Sequence, residues 1–101
     1  MTIQVNAPFK VSDSLQALID DKVGKLETFY ERIHDAEIFF KDEENSSQQA
    51  PKGNTVELRL HVPGNILYAE FSDETYEKAL AETVEKMRRQ LIKHKEKVNL
   101  Y

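Results

Sequence analysis

The chain has 101 residues, 40% of them hydrophobic and 32% charged, with no cysteine and a net charge of −4. Such a composition fits one ordinary globular domain with a modest core, and no apolar run approaches the roughly 18 residues that cross a bilayer. Disulfides, thiol catalysis and cysteine metal sites are excluded, and the opening Met1-Thr2-Ile3-Gln4-Val5-Asn6 lacks the basic start and apolar stretch of a signal peptide, as expected of a cytoplasmic bacterial protein.

Ile3 to Ala7 alternates as a short strand and is stopped by Pro8. Ser12 and Asp13 are good N-cap types, and Leu15, Leu18, Ile19, Val23, Leu26, Phe29 and Tyr30 then recur at three- and four-residue spacing. This predicts a first helix from about Asp13 to Glu31, with Gly24 marking a close approach inside it. Ala36 to Asp42 holds Ile38, Phe39 and Phe40 and reads as a second strand. The polar stretch from Glu43 to Asn54 reads as a loop. From Thr55 to Val62, Val56, Leu58, Leu60 and Val62 face a core while Glu57, Arg59 and His61 face water. Pro63-Gly64-Asn65 is a tight turn, and Ile66 to Phe71 returns as a hairpin partner with Leu67, Ala69 and Phe71 inward. Ser72-Asp73 is expected to cap a second helix running to about Lys97, with Tyr76, Leu80, Val84, Met87, Leu91 and Val98 as its apolar face.

The predicted fold is therefore a single α+β domain over residues 1–101 in the order β-α-β-β-β-α. The first strand enters through a helical crossover, parallel to the second, and the rest forms an antiparallel meander. With one face of the four-stranded sheet wet, both helices should cover the other.

Charge is distributed unevenly along the chain. Between Lys86 and Lys97, six cations (Lys86, Arg88, Arg89, Lys93, Lys95, Lys97) meet only Glu96, a window of +5 that leaves −9 elsewhere. A chain polarised in this way directs a strong local field at a polyanion whatever its net charge. At about 100° per residue, Lys86, Arg89, Lys93 and Lys97 fall on one stripe, with Arg88 and Lys95 on the opposite flank of the apolar face. Stripe spacings of three, four and four residues suit a helix that follows a phosphate backbone. The competing reading is a solvated face whose cations are favoured near the helix C-terminus by the macrodipole. Glu82 and Glu85 are positioned to pair with Lys86 and Arg89, and Glu96 with Lys93. Lys22 falls within the apolar stripe of the first helix and Lys25 at its edge. If the helices lie side by side, both lysines are expected to point into the shared groove and join Lys86, Arg89 and Lys93 in one positive surface; the alternative is ordinary snorkelling to water.

His34, His61 and His94 show no metal-ligand spacing, and His94 borders the apolar face, in a packed or phosphate-facing role. No nucleophile elbow, phosphate-cradling glycine loop or HExxH motif is present, and the carboxylates are scattered, so the chain reads as a binding protein and not an enzyme.

Four segments carry a resemblance to a known family: Val11-Ser12-Asp13-Ser14-Leu15, Lys22-x-x-Lys25-Leu26-Glu27, Asp73-Glu74-Thr75-Tyr76 followed by Ala79-Leu80, and the run from Lys86 to Lys97 with its K-x-x-R-Q-L-x-K-x-K pattern. Together they resemble the ribosome hibernation-promoting factors and the related ribosome-associated inhibitor A, also known as sigma-54 modulation proteins, over Ile3 to Val98. The resemblance implies a fold similar to double-stranded-RNA-binding domains. It further implies binding to the small ribosomal subunit in the messenger and transfer RNA channel, blocking translation and preserving idle ribosomes in stationary phase or stress without a cofactor. By the same resemblance, Lys22, Lys25, Lys86, Arg89, Lys93, Lys95 and Lys97 match basic positions, and Tyr76 matches a recurrent aromatic expected in or beside the inter-helix surface. The stretch from Glu43 to Gly53 is longer than in short members and acidic at its start, so it should face away from RNA. The chain stops at Tyr101 without an acidic tail or dimerising domain, so any pairing of ribosomes is expected to need a separate ribosome-dimerising factor. Two other readings stand beside this one. The first is a protein-interaction module that modulates a transcription (sigma) factor. The second is a free double-stranded-RNA binder, which the cation-free turn Pro63-Gly64-Asn65 disfavours.

Overall fold

A computed structural model describes residues 1–42 and 53–98 of the chain. Its elements are β1 (Thr2–Asn6), α1 (Asp13–Gly24), a 3₁₀ segment (Lys25–Thr28), β2 (Asp35–Asp42), β3 (Asn54–Val62), β4 (Asn65–Asp73) and α2 (Tyr76–Val98). The β-α-β-β-β-α order is the expected one. The loop expected from Glu43 falls outside the described residues up to Lys52, and Asn54 belongs to β3.

The four strands lie in the order β1-β2-β3-β4. β1 runs parallel to β2, which the crossover through α1 requires, and the two remaining pairings are antiparallel. β3 and β4 are joined by the two residues Pro63-Gly64, between the paired Val62 and Asn65. Pro63 fixes the first turn position, and Gly64, at φ +77°, occupies the second, where a side chain would be strained.

Alternation in the strands sorts side chains by face. Ala36, Ile38 and Phe40 of β2, Val56, Leu58, Leu60 and Val62 of β3, and Leu67 and Ala69 of β4 are buried on the helix side. Ile19, Val23, Leu26 and Tyr30 come down on them from the first helical segment, and Ala79, Leu80, Met87 and Leu91 from α2. Thr83, fully buried in that face, shares its one hydroxyl hydrogen between the Ala79 carbonyl at 2.7 Å and the Val56 carbonyl of β3 at 3.0 Å. That bond ties α2 to the middle of the sheet and satisfies a hydroxyl that would otherwise be costly to bury.

Several sequence expectations are corrected. The first helix is α-helical only to Gly24 and then tightens to 3₁₀ winding. Gly24 is a poor helix former, and the tighter turn brings Leu26 and Tyr30 into the core while leaving Phe29 36% exposed. No packing neighbour explains Gly24, since a Cβ there would meet nothing within 4 Å. Ser72 and Asp73 do not cap α2, because β4 runs on through them and Ser72 Oγ bonds Thr55 Oγ1 across the strands at 2.6 Å. Thr75 is the cap, its hydroxyl accepting from the Lys78 amide at 3.1 Å. Val98 lies 41% exposed and not in the core. Glu57 projects to the outer face as expected but is only 3% exposed, covered by its longer neighbours.

Candidate nucleic-acid interface

α2 is amphipathic in a way that gives it two different flanks. With Leu80, Thr83, Met87 and Leu91 turned down onto the sheet, one flank faces the β4 edge and the other faces α1.

On the β4 flank, Lys86 Nζ donates to the Glu70 carbonyl at 3.1 Å and sits 4.9 Å from the centre of the Phe71 ring. Gln90 Nε2 donates to the Tyr68 carbonyl two residues along the same strand. These bonds cap edge carbonyls of β4 that could otherwise accept a foreign strand. Below them, Lys93 and Lys97 line a cleft with Asn65, Leu67, Gln90 and His94. His94 packs edge-on against Tyr30, ring centres 5.6 Å apart, and its buried Nε2 has no partner among the described residues.

On the α1 flank, Lys22, Lys25, Leu26 and Phe29 meet Ala81, Val84, Glu85 and Arg88 across a groove of about 260 Å³. Glu85 grips Arg88 with two bonds, Nε to Oε2 at 2.9 Å and Nη2 to Oε1 at 2.5 Å. The Arg88 bond and charge hold the Glu85 carboxyl below its usual pKa. Lys95 lies further along this flank, in a cleft with the segment Glu27–Arg32 and Val98. Arg89, with a side chain 65% exposed, stands on the outer ridge of α2, 3.8 Å from Glu85.

The expected single surface is therefore divided. Lys22 and Lys25 share their groove with Arg88, while Lys86, Lys93 and Lys97 lie across the helix toward β4, and Arg89 stands between the two sets. Tyr76 is in neither. It closes an aromatic cluster with Phe9 (5.1 Å) and Phe40 (5.3 Å) at the start of α2, its hydroxyl donating to the Lys41 carbonyl at 3.1 Å. Its place is at the core margin and not in the inter-helix surface. The pairs anticipated for Lys86 with Glu82 and for Lys93 with Glu96 are not formed. Among the described residues, Lys22, Lys86, Lys93, Lys95 and Lys97 have no carboxylate within 4.0 Å. Arg88 and Phe29 are groove residues that the basic stripe did not include. The signal was present, since the helical wheel puts Arg88 beside Val84, but it does not say which flank meets α1.

The profile of the family described as sigma 54 modulation protein / S30EA ribosomal protein matches residues 3–99. The chain belongs to that family. A ribosome hibernation promoting factor of Azotobacter vinelandii is 31% identical over 87 residues, covering 86% of this chain and 75% of the relative. The protein of the same name from Escherichia coli K12 is 27% identical over 89 residues, covering 88% and 86%. Among solved structures, a ribosomal subunit interface protein from Coxiella burnetii superposes with a TM-score of 0.81 at 21% identity, covering 94% of this chain and 98% of that one. The N-terminal domain of Thermus thermophilus Protein Y gives 0.76 at 16%, covering 93% and 99%. At these identities the structural likeness establishes the fold alone.

The outer face of this S30EA-family domain has the opposite electrical character. Asp35, Glu37, Glu57 and Glu70 project from it, against Lys41, Arg59 and His61. Lys41 Nζ meets Glu57 Oε1 at 2.6 Å, Arg59 Nε meets Glu57 Oε2 at 2.8 Å, and Lys41 also lies 3.6 Å from Glu70. Burial pushes the Glu57 carboxyl up, but the Lys41 hydrogen bond and the Lys41 and Arg59 charges outweigh it and hold the pKa below the usual range. The same bond to Glu57 raises the Lys41 pKa. His61 Nε2 is 2.8 Å from Glu37 Oε1. Cations on this face are thus spent on carboxylates, whereas in the helix layer Lys22, Lys86, Lys93, Lys95 and Lys97 have no carboxylate within 4.0 Å among the described residues, and Lys25 and Lys78 have only exposed pairs with Asp21 and Glu74.

Proposed function

We propose that the chain is a ribosome hibernation factor that binds the small ribosomal subunit in the channel used by messenger and transfer RNA. By occupying that channel it blocks translation and preserves idle ribosomes under stress or in stationary phase. The observation that carries the reading is the set of lysines with no carboxylate within 4.0 Å among the described residues, Lys22, Lys86, Lys93, Lys95 and Lys97, all in the helix layer. Unpaired cations attract phosphate and release its counterions, whereas the compensated outer face has no such charge to offer. Family membership and relatives named for ribosome hibernation support the choice of the ribosome as the polyanion.

The contact set is Lys22 and Lys25 on one side of α2, Arg89 on its ridge, Lys86, Lys93 and Lys97 on the other side, and Lys95 near its end. Tyr76 contributes by fixing the start of the helix that carries most of them. Steric occupation asks for no cofactor and no chemical step. The work is done in the cytoplasm, and no described helix is long and apolar enough to cross a membrane. The test is co-sedimentation with purified small subunits. The protein travels with them at about 0.1 M salt and is released as salt rises. A protein that stays at the top of the gradient at low salt overturns the proposal.

A further inference from the structure

The inter-helix groove combines apolar side chains with three cations, Lys22, Lys25 and Arg88. Leu26, Ala81 and Val84 form the floor, with Phe29 at its edge. Phe29 is 36% exposed while Leu26 and Tyr30 of the same segment are at most 7% exposed, so a large ring stands toward solvent beside core residues. Arg88 lies 5.7 Å from the centre of that ring. Lys22 has no carboxylate within 4.0 Å among the described residues, and Lys25 has only a surface pair with Asp21 at 3.4 Å, its side chain 68% exposed. Against these three cations the lining supplies one carboxylate, Glu85.

We infer that this groove is a nucleotide subsite, in which an unstacked base of single-stranded RNA lies against Phe29 and the face of the Arg88 guanidinium while Lys22 and Lys25 hold its phosphates. The inference rests on the RNA-binding reading above and names the part of the RNA that the groove takes. A phosphate alone would leave Phe29, Ala81 and Val84 unused. An acidic peptide would seek the donor fork of Arg88, but Glu85 already occupies that fork through Nε and Nη2. Beyond that edge Arg88 keeps the outer N–H groups of Nη1 and Nη2, which can reach a phosphate, and its flat face, which suits a base. A duplex keeps its bases stacked on one another, so the base that enters must come from a single strand, a loop or a bulge. Because Glu85 fixes the guanidinium before any ligand arrives, the platform is preorganised and little side-chain freedom is lost on binding.

The experiment uses a short single-stranded RNA with 2-aminopurine at its centre, whose fluorescence falls when the base stacks. The 101-residue chain should quench it. Phe29→Ala should abolish the quenching and weaken binding about tenfold, the scale of one lost base–aromatic stack, whereas Phe29→Tyr should behave as the wild type. Quenching by Phe29→Ala equal to wild type overturns the inference, and so does an equal loss in Phe29→Tyr, which would assign the ring to packing. Tighter capture of an acidic peptide than of the RNA also overturns it. Small-subunit co-sedimentation separates this from the reading on which it rests. Wild type and Phe29→Ala pelleting alike would sink the subsite but keep the ribosome, and quenching without wild-type co-sedimentation would keep the subsite but sink the ribosome.

Discussion

Replacing Lys93 and Lys97 by Ala probes the interface with little disturbance of the fold. Both side chains border the same cleft toward β4, and neither has a carboxylate within 4.0 Å among the described residues. If each meets one phosphate, the slope of log affinity against log salt should become shallower by about 1.4–1.8 units, at roughly 0.7 to 0.9 per contact. Stability should change far less. Of the two, only Lys97 lies in the last turn of α2, where a cation stabilises the macrodipole by about 0.3–1 kcal/mol at low salt, and Ala returns part of this as better helix propensity. The assay is equilibrium binding to small subunits across about 0.05–0.3 M salt, with thermal unfolding of the same variant alongside. An unchanged slope would refute the argument and reduce the unpaired lysines to a solvated face. Loss of binding together with collapse of the melting temperature would refute it too, because the lysines would then be acting through the fold.

Leu91→Ala, two residues away but fully buried, should show the converse. It should cost about 2–5 kcal/mol, enough to lower the melting temperature by at least about 8 °C in a domain of this size, with the salt slope preserved wherever the protein remains folded. Gly24→Ala should stabilise by about 0.4–1 kcal/mol, because the residue is helical at φ −60° and an added Cβ meets nothing; a destabilised variant in urea unfolding would show that the position needs its glycine. Glu57 supplies a pH dependence. Its folded pKa is lowered, so its contribution is present above the unfolded value of about 4.3 and is lost as pH falls through the lower folded one. Urea midpoints from pH 7 down to 3 should therefore fall less steeply for Glu57→Gln than for the wild type, and parallel profiles would contradict the Lys41–Glu57–Arg59 network.

Much of the fold can be read from single residues because its signals are local. The alternation of Val56, Leu58, Leu60 and Val62 requires a strand with one buried face, and Pro63-Gly64 requires the turn that follows. The structure departs from these local preferences where strand pairing, a change of helical winding or a covering side chain overrides them. Ser72 and Asp73 are good caps by type, but pairing with Thr55 and Asn54 keeps them in β4 and passes the role to Thr75. Phe29 matches the helical period of its neighbours, but the change to 3₁₀ winding at Lys25 turns it outward. Glu57 is outward by alternation, yet it is buried because Lys41 of β2 and Arg59 of its own strand fold over it.

The site divides along the same line. Composition and the helical repeat were enough to gather Lys86, Arg89, Lys93 and Lys97 along α2, since angular position on a helix follows from residue number alone. They could not say which flank of α2 would meet α1, because that depends on how two helices seat on one sheet. The tertiary structure put Arg88 and not Lys86 opposite Lys22 and Lys25, and gave Lys86 a second task at the β4 edge. It also set Tyr76 against Phe9 and Phe40, away from the groove. Which residues are cationic was settled along the chain. Which of them face one ligand together was settled by packing, because buried apolar contacts across the sheet fix the rotation of α2 and so place every charge it carries.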